Sequence, residues 1–245
     1  MIKEVFFDWD GTIANTETIS ITVTKGVLCD YANAAFGRRM EEEVNGLEMR
    51  GKDFGQIAKQ FQDIINKGLP DAAKITIDIE DLRINKLRPA AIIALDDAQL
   101  APGIGETLAE LQDDMKLGLA IVSNSPRLRI QPLLDKHKYD TRIPKGRLFS
   151  AFDDVAKLKE DPAIYLLAAD KTGITPAEAA AVEDSATGMK AATSAGIGLR
   201  VGFTGLAEPH ERAALEATLV KAGAHVVIDD MKKLPAAIRA HGLRS

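Results

Sequence analysis

The stretch at residues 5–12 reads VFFDWDGT, and it does more than any other to indicate the fold. Val5, Phe6 and Phe7 form a short continuous apolar run, and acids and a glycine follow it at once. Such a run, bounded by turn residues, is typical of a strand that is buried on both faces in a parallel sheet. We therefore predict a buried strand that ends at Asp8 and is followed by a tight loop.

Four later segments have the same character, and helical patterns lie between them. The further strands are predicted at 117–122, 179–182, 198–201 and 225–228, and the helices near 105–113, 126–137, 162–172, 186–195 and 209–222. Strands that alternate with helices of this length are typical of a parallel sheet with helices on both faces. The sequence therefore predicts an α/β fold with a Rossmann-like parallel sheet.

Residues 15–99 interrupt this alternation. The segment is rich in helical periods and charges, its strand signal is weak, and several glycines divide it into short predicted helices. Residues 100–103, Leu-Ala-Pro-Gly, have the composition of a linker back to the sheet. We predict an α/β catalytic core domain at 1–14 and 100–245, and a small helical cap domain at 15–99 inserted after the first strand.

The composition argues against several classes of protein. The 245 residues carry a net charge of −5 without a basic excess or a polybasic tail, so neither nucleic acid nor a membrane surface is the expected partner. The one cysteine, Cys29, cannot form an internal disulfide, and the sequence shows neither a signal peptide nor an apolar run of about 20 residues. We therefore expect a cytoplasmic protein without a membrane span, present as a monomer or a dimer.

Asp8 and Asp10 stand two residues apart at the end of the first predicted strand. Side chains alternate along an extended backbone, so both carboxylates can reach one site when the loop turns. One acid can then attack phosphorus while the other exchanges a proton with the leaving group. Gly11 permits a sharp turn and a close approach to an anion. Taken alone, the same residues also suit an ordinary polar turn.

Glu183 and Asp184 follow another predicted strand, and they would add two acids to the same edge of the sheet. Clustered carboxylates repel one another unless a cation neutralises them, and Mg²⁺ prefers one or two carboxylates together with waters and phosphate oxygens. Ser123 and Asn124 follow a third strand and open a helix whose free N–H groups can hold a phosphate. Both segments could instead serve only as helix caps.

Basic residues offer a partner for an anionic substrate. Lys157 and Lys159 precede the helix predicted from Pro162, and either could neutralise the charge that develops in phosphoryl transfer. A lysine in a charged loop can equally be a solvated side chain. A group of basic residues between Arg127 and Arg147 could steer an anion, but we interpret this group as solvated surface.

The four motifs, in this order, resemble the haloacid dehalogenase superfamily, in particular its capped phosphatase and β-phosphoglucomutase-like branch. They are FDWDGT at 7–12, IVSNS at 121–125, Lys159 with Pro162 and Tyr165, and VEDSATG at 182–188. The resemblance covers nearly the whole chain. It implies a Mg²⁺-dependent enzyme with a small helical cap and with the four motifs at one site.

The resemblance also implies a role for individual residues. Asp8 would be the nucleophile and a metal ligand, and Asp10 would be the general acid and base whose backbone carbonyl also contacts the metal. Asp184 and Glu183 would complete the Mg²⁺ site. Lys159 and Ser123 would bind the phosphoryl oxygens of the substrate. Thr12 in the first motif and Asn124 in the second would also contact the substrate. Arg50 and Lys52, in a cap loop, would bind the organic portion of the substrate.

The sequence predicts a Mg²⁺-dependent phosphatase that hydrolyses a small phosphorylated metabolite, of the sugar phosphate or phosphoglycolate type, through an aspartyl phosphate. Ser20 stands where the family commonly has a histidine, in a region that helps to hold the intermediate in β-phosphoglucomutase-like members, so a mutase is less expected. Glu160 follows Lys159 where a proline is usual, which leaves Lys157 as an alternative functional lysine. A hexose-phosphate mutase and a phospho-aspartate signalling domain remain alternatives, while Asp10 argues against a metal-free dehalogenase.

Overall fold

The computed structural model describes residues 1–49, 54–94, 98–155 and 161–242 of the chain. The chain divides into two compact units, one formed by Met1–Asn15 with Gln99–Ser245 and the other by Thr16–Ala98. We call them the sheet unit and the helical unit. The function of the helical unit as a cap stays a prediction.

Six strands form one sheet in the sheet unit, and the pairings between the described strands are parallel. The strands are β1 (Glu4–Phe7), β2 (Gly118–Ser123), β3 (Leu148–Ser150), β4 (Ala179–Glu183), β5 (Leu199–Phe203) and β6 (Val226–Ile228). Their order across the sheet is β3-β2-β1-β4-β5-β6. The predicted Rossmann-like parallel sheet is confirmed, with one strand, β3, that the apolar pattern did not predict.

The strand order places β1 in the middle of the sheet, where it pairs with both β2 and β4. Phe7 lies opposite Ile121 on one side and opposite Val182 on the other. The chain builds one half of the sheet outward from β1 to β3 and then crosses back to β4, so the strand order reverses beside β1. In open α/β sheets, ligands bind at such a switch point, outside the carboxyl ends of the strands.

The described part of the helical unit contains five α-helices with one shared core. They are α1 (Glu17–Phe36), α2 (Glu41–Asn45), α3 (Phe54–Ile65), α4 (Ile79–Leu82) and α5 (Arg88–Ala94), and a π-helical turn at Arg83–Leu87 joins the last two. Leu28, Ala58 and Phe61 lie in the core, and Cys29 is buried among them. Among the described helices, none is both long and apolar enough to span a membrane.

The chain leaves and returns to the sheet unit at one place. Ala14 forms an antiparallel bridge with Leu100. The N–H of Asn15 donates to the carbonyl oxygen of Gln99 at 2.8 Å. Because the two ends of the insertion are held side by side, the residues between them can form a separate unit without disturbing the sheet.

Helices between the strands, and one after the last strand, cover the sheet. They are α6 (Ile104–Ala109), α7 (Arg127–Lys136), α8 (Ala163–Thr172), α9 (Ala186–Ser194), α10 (Arg212–Lys221) and α11 (Leu234–Gly242). Phe6, Ala120 and Ala181 of three neighbouring strands pack in one cluster with Tyr165 and Ala168 of α8. All four residues of β1 are buried. Since successive side chains of a strand point to opposite faces, β1 is covered on both sides.

Candidate active site

The loop after β1 carries the first predicted site residues. The N–H of Asp8 donates to the carbonyl oxygen of Val182 at 3.0 Å, so hydrogen bonding between β1 and β4 continues to this residue. The carbonyl oxygen of Trp9 then accepts the N–H of Ile13 at 3.0 Å, which closes a tight turn. Trp9 is only 1% exposed, so its side chain anchors the loop in the protein interior.

Gly11 brings this loop close to Asp184. Its φ of +79° lies in the left-handed region, which favours glycine. A Cβ at this position would lie 1.9 Å from Oδ2 of Asp184. Any side chain here would therefore displace the Asp184 carboxylate, and glycine is what allows the first and fourth motifs to meet.

Asp8, Glu183 and Asp184 form an acidic cluster, in which one carboxylate oxygen of each residue lies within 4.8 Å of the others. Asp8 follows β1, and the other two lie at the end of the neighbouring β4, so the parallel pairing brings them together. Asp8 and Glu183 are buried, and Asp184 is half-buried. Carboxylates this close repel one another unless a cation lies among them. An all-oxygen set of this kind suits Mg²⁺, so the residues present fit the predicted metal.

Glu183 is held from the protein interior. The Tyr165 hydroxyl donates a hydrogen bond to Oε1 of Glu183, and the Ser185 hydroxyl lies 3.4 Å from Oε2. Burial, followed by the charge of Glu183, raises the pKa of Tyr165 well above its usual value. The phenol therefore stays protonated and remains a donor. Gly188 leaves room for this arrangement, because a Cβ there would lie 2.0 Å from Oε2 of Glu183.

Asp10 faces a different set of partners. The Ser125 hydroxyl donates to Oδ2 of Asp10 at 2.5 Å, and Nη2 of Arg129 lies 3.4 Å from Oδ1. Ser125 precedes α7 and Arg129 lies in its first turn. The carboxylates of Asp8 and Asp10, which are two residues apart in sequence, thus have different surroundings, one in the acidic cluster and the other beside a hydroxyl and a guanidinium.

The second motif ends β2 at Ser123, which is buried. The N–H of Ser125 donates to Oγ of Ser123 at 3.0 Å, which leaves the Ser123 hydroxyl proton available to another acceptor. Asn124 between them is exposed. Thr12 is fully buried, and its hydroxyl has no hydrogen-bond partner within the described part of the chain. The predicted substrate contacts of Thr12, Ser123 and Asn124 stay predictions.

Four predicted site residues lie outside the described residues: Arg50, Lys52, Lys157 and Lys159. The choice between the two lysines therefore stays open. The segment that precedes them, Ala151–Val155, is fixed by Arg127 of α7. The Arg127 guanidinium binds both carboxylate oxygens of Asp154 at 2.6 Å, and the backbone N–H of Arg127 donates to Oδ2 of Asp153 at 2.8 Å.

Three residues at the site were not among the predicted site residues: Ser125, Arg129 and Tyr165. Ser125 and Tyr165 lie inside the second and third motifs, so the motifs themselves contained the signal. Arg129 lies in the first turn of α7, which begins two residues after Ser125, so its contact with Asp10 depends on where that helix starts. The interpretation of the basic group as solvated surface is wrong for Arg129, because its Nη2 contacts Asp10 and its Nε is buried.

Comparison with known proteins agrees with the motifs. A family model described as haloacid dehalogenase-like hydrolase matches residues 2–196. The chain belongs to this family. The resemblance seen in the motifs is thereby confirmed, and the chain is an enzyme of the haloacid dehalogenase-like hydrolases.

Relatives within the haloacid dehalogenase-like hydrolases include a mutase and a phosphatase. The β-phosphoglucomutase of Bacillus subtilis is 30% identical over 204 residues, which cover 80% of this chain and 81% of the relative. The phosphorylated carbohydrates phosphatase of Thermotoga maritima is 26% identical over 202 residues, which cover 80% of this chain and 82% of the relative. A family hydrolase from Deinococcus radiodurans, solved with bound phosphate and sodium, has a TM-score of 0.71 and 25% identity, with 99% of this chain and 97% of that chain covered.

Proposed function

We propose that the protein is a Mg²⁺-dependent phosphatase that hydrolyses a small phosphate monoester through a phosphoryl group carried on Asp8. The observation that carries this proposal is the separation of the two acids of the first motif. Asp8 lies in the acidic cluster, and Asp10 lies beside Ser125 and Arg129. A nucleophile next to a cation and an acid next to the leaving group need this kind of division.

The first half-reaction transfers the phosphoryl group to the enzyme. A carboxylate oxygen of Asp8 forms a bond to phosphorus while the bond from phosphorus to the ester oxygen breaks. Asp10 donates a proton to that leaving oxygen, so the organic portion departs as an alcohol. Ser123 and Lys159 bind the oxygens of the phosphoryl group and stabilise the charge on them during transfer.

The second half-reaction restores the enzyme. Asp10, now ionised, takes a proton from a water molecule, and the oxygen of that water forms a bond to phosphorus. The bond between phosphorus and Asp8 breaks, which releases inorganic phosphate and leaves both acids as they began. Asp10 therefore serves as acid in one step and as base in the next.

Asp8, Asp184 and Glu183 are the residues that would hold the metal, with the backbone carbonyl of Asp10 as a further oxygen. When bound, Mg²⁺ would supply positive charge that offsets the repulsion among the carboxylates and the phosphoryl oxygens. Two features make these residues suitable for Mg²⁺: all the donor atoms are oxygens, and one carboxylate oxygen of each residue lies within 4.8 Å of the others.

The relatives and the motifs support a proposal for the substrate class. A sugar phosphate or a phosphoglycolate-type ester is the proposed substrate. The name of the phosphatase relative gives phosphorylated carbohydrates as its substrates. The β-phosphoglucomutase relative supports a second candidate, a mutase that returns the phosphoryl group to the sugar. Isomerisation of a hexose 1-phosphate without net phosphate release would identify the mutase. We place either reaction in the cytoplasm.

Phosphate release from a panel of small phosphate esters tests the proposal. Wild type, Asp8→Asn and a control, Asp170→Asn on the exposed side of α8, are assayed with Mg²⁺ and with a chelator in excess. We expect release that requires the metal, disappears in Asp8→Asn and persists in Asp170→Asn. Metal-dependent turnover by Asp8→Asn at the wild-type rate would reject Asp8 as the nucleophile.

A further inference from the structure

Both carboxylate oxygens of Asp10 have partners in the segment that follows β2. The Ser125 hydroxyl donates to Oδ2 at 2.5 Å, and the guanidinium of Arg129 lies 3.4 Å from Oδ1. Ser125 thus holds one oxygen of the carboxylate, and Arg129 approaches the other. The Asp10 side chain is 35% exposed.

The Ser125 side chain has little freedom to turn away. The residue is 5% exposed, and its N–H donates to Oγ of Ser123 at 3.0 Å at the end of β2. The hydrogen bond fixes the backbone of Ser125 beside the end of β2, and burial limits the space in which its hydroxyl can turn. A hydroxyl that is fixed in this way can select one orientation of the carboxylate that accepts from it.

Arg129 approaches Asp10 from the first turn of α7. The backbone N–H of Arg129 donates to the carbonyl oxygen of Pro126 at 2.9 Å, which fixes the start of the helix. Its side chain is 28% exposed, and its Nε is buried without a hydrogen-bond partner among the described residues. Because a guanidinium is charged at any ordinary pH, Arg129 contributes a permanent positive charge on the Oδ1 side of Asp10.

We infer that Ser125 and Arg129 are positioning residues that fix the Asp10 carboxyl group, with Oδ2 anchored by Ser125 and Oδ1 directed to the ester oxygen. This inference rests on the proposed function. The proton that Asp10 gives up leaves from Oδ1 and bonds to the ester oxygen as the bond from phosphorus to that oxygen breaks. In the second step a water proton returns to Oδ1. Neither Ser125 nor Arg129 exchanges a proton.

A positioning role differs from direct substrate binding in its dependence on the leaving group. An ester whose alcohol is a weak acid needs the proton from Asp10, whereas p-nitrophenyl phosphate releases a stable anion and needs it little. Because the water step is the same for every ester, loss of the correct Asp10 orientation lowers kcat/KM, which reports transfer to Asp8, selectively for alkyl phosphates. Loss of a phosphate-binding group slows every ester alike, since all of them share the phosphoryl group.

The test compares kcat and KM for an alkyl phosphate and for p-nitrophenyl phosphate in four variants. They are Ser125→Ala, Ser125→Thr, Arg129→Gln and Gln131→Ala, the last a control on the same helix whose side chain contacts Asp135. For Ser125→Ala we expect kcat/KM on the alkyl ester to fall about tenfold to a hundredfold, less than the roughly 10²- to 10⁴-fold that a general acid contributes, because the Asp10 carboxyl group itself remains. On p-nitrophenyl phosphate kcat/KM should change less than about threefold, because this ester needs little proton donation during transfer.

Ser125→Thr retains a hydroxyl and should restore much of the lost rate, while Arg129→Gln should show the same selectivity as Ser125→Ala in a smaller degree. Arg129→Gln also carries the test if Ser125→Ala does not fold. An equal loss of kcat/KM on both esters would overturn the inference, because loss of a phosphate-binding group has that effect. If wild type hydrolyses none of the esters, the proposed function fails and the inference fails with it. Hydrolysis by wild type with no selectivity in either variant rejects the inference alone.

Discussion

Tyr165 connects the core of the sheet unit to the acidic cluster. Its ring lies 6.4 Å from that of Phe6, centroid to centroid, and its hydroxyl donates to Glu183. Burial raises the pKa of Tyr165, and the charges of Glu183, Asp8 and Asp184 raise it further. The protonated hydroxyl thus orients one carboxylate of the cluster, and such outer partners commonly tune metal affinity.

Tyr165→Phe should weaken divalent metal binding. Removal of the hydroxyl leaves Oε1 of Glu183 without this donor, and loss of an outer partner of a metal ligand typically lowers affinity about tenfold to a hundredfold. Titration of the free protein with Mn²⁺, followed by electron paramagnetic resonance, measures this without any assay of activity. Tyr139→Phe is a control away from the cluster. Equal Mn²⁺ affinity in wild type and Tyr165→Phe would show that the hydroxyl does not support the metal site.

Gly11→Ala should abolish the site rather than merely strain the loop. Gly11 and Gly173 have nearly the same positive φ, +79° and +75°, but only at Gly11 would a Cβ meet a neighbouring side chain. Gly173→Ala should therefore cost about 1 kcal/mol of stability and leave metal binding intact. Gly11→Ala should in addition displace Asp184 and lose Mn²⁺ binding. Retained binding in Gly11→Ala would mean that the close approach to Asp184 is not required.

At the scale of single residues, the sequence could identify groups that belong to motifs but not groups that act through the fold. The spacing of Asp8 and Asp10 was enough to single both out. That Arg129 contacts Asp10 depends on where α7 begins after β2, and a charged side chain in a basic stretch carries no such information. An arginine on the protein surface can occur in a basic stretch of the same kind, so only the structure distinguishes Arg129 from a solvated arginine.

At the scale of elements, the strongly apolar strands were predictable and the short ones were not. β3 has only three residues, Leu148–Ser150, too few for a pattern to stand out from a loop. It is specified by its pairing with β2, which a local pattern does not contain. Helix α11 was also not predicted.

A capping box fixes the turn before β4, and an ion pair joins this turn to the start of β1. The N–H of Thr175 donates to Oε2 of Glu178 at 2.9 Å, and Lys3 forms an ion pair with Oε1 at 2.5 Å. The Lys3 ammonium, followed by the Thr175 N–H, lowers the pKa of Glu178 from 4.5 to about 2. The carboxylate form is therefore the one that stabilises the folded chain.

Glu178→Gln should reduce stability in a pH-dependent way. Because the folded pKa is lowered, the stabilisation by Glu178 is present above pH 4.5 and is lost as the pH falls towards about 2. The difference in free energy of unfolding between wild type and Glu178→Gln should be largest near neutral pH and should shrink across that window. Urea denaturation at a series of pH values measures it, with Glu216→Gln on α10 as a control for loss of one surface charge. A difference that does not change with pH would contradict the assignment.

At the scale of the whole molecule, the two units have separate hydrophobic cores, and each contains one intrinsic probe. The only tryptophan, Trp9, is buried in the sheet unit, and the only cysteine, Cys29, is buried in the helical unit. Burial also raises the pKa of the Cys29 thiol, which lowers the fraction of reactive thiolate in the folded protein. Fluorescence and thiol labelling can therefore follow the two units independently.

We expect Cys29 to become reactive at a lower urea concentration than the one at which Trp9 fluorescence changes. The helical unit is the smaller of the two, and a smaller unit buries a smaller share of its surface on folding. Pulse labelling with a thiol reagent along a urea series, read beside tryptophan fluorescence, gives the two midpoints. Coincident midpoints would show that the units unfold as one cooperative body.

The insertion itself was visible in the sequence as a change of pattern, because periods typical of helices replace the alternation of strands and helices after the first motif. What the sequence could not give is the pairing of Ala14 with Leu100, which joins residues far apart in the chain. Such a contact depends on the closed fold and leaves no local signal.

The most direct test of the account is a single-turnover experiment that looks for phosphate on Asp8. Enzyme in excess is mixed with its preferred ester and Mg²⁺, quenched in acid at short times, digested and analysed by mass spectrometry. If Asp8 carries the phosphoryl group, the peptide containing Asp8 gains the mass of one phosphoryl group before inorganic phosphate is released, and Asp8→Asn shows no such species. Phosphate release with the phosphoryl group on another residue, or with the Asp8 peptide unmodified at every time, would contradict it.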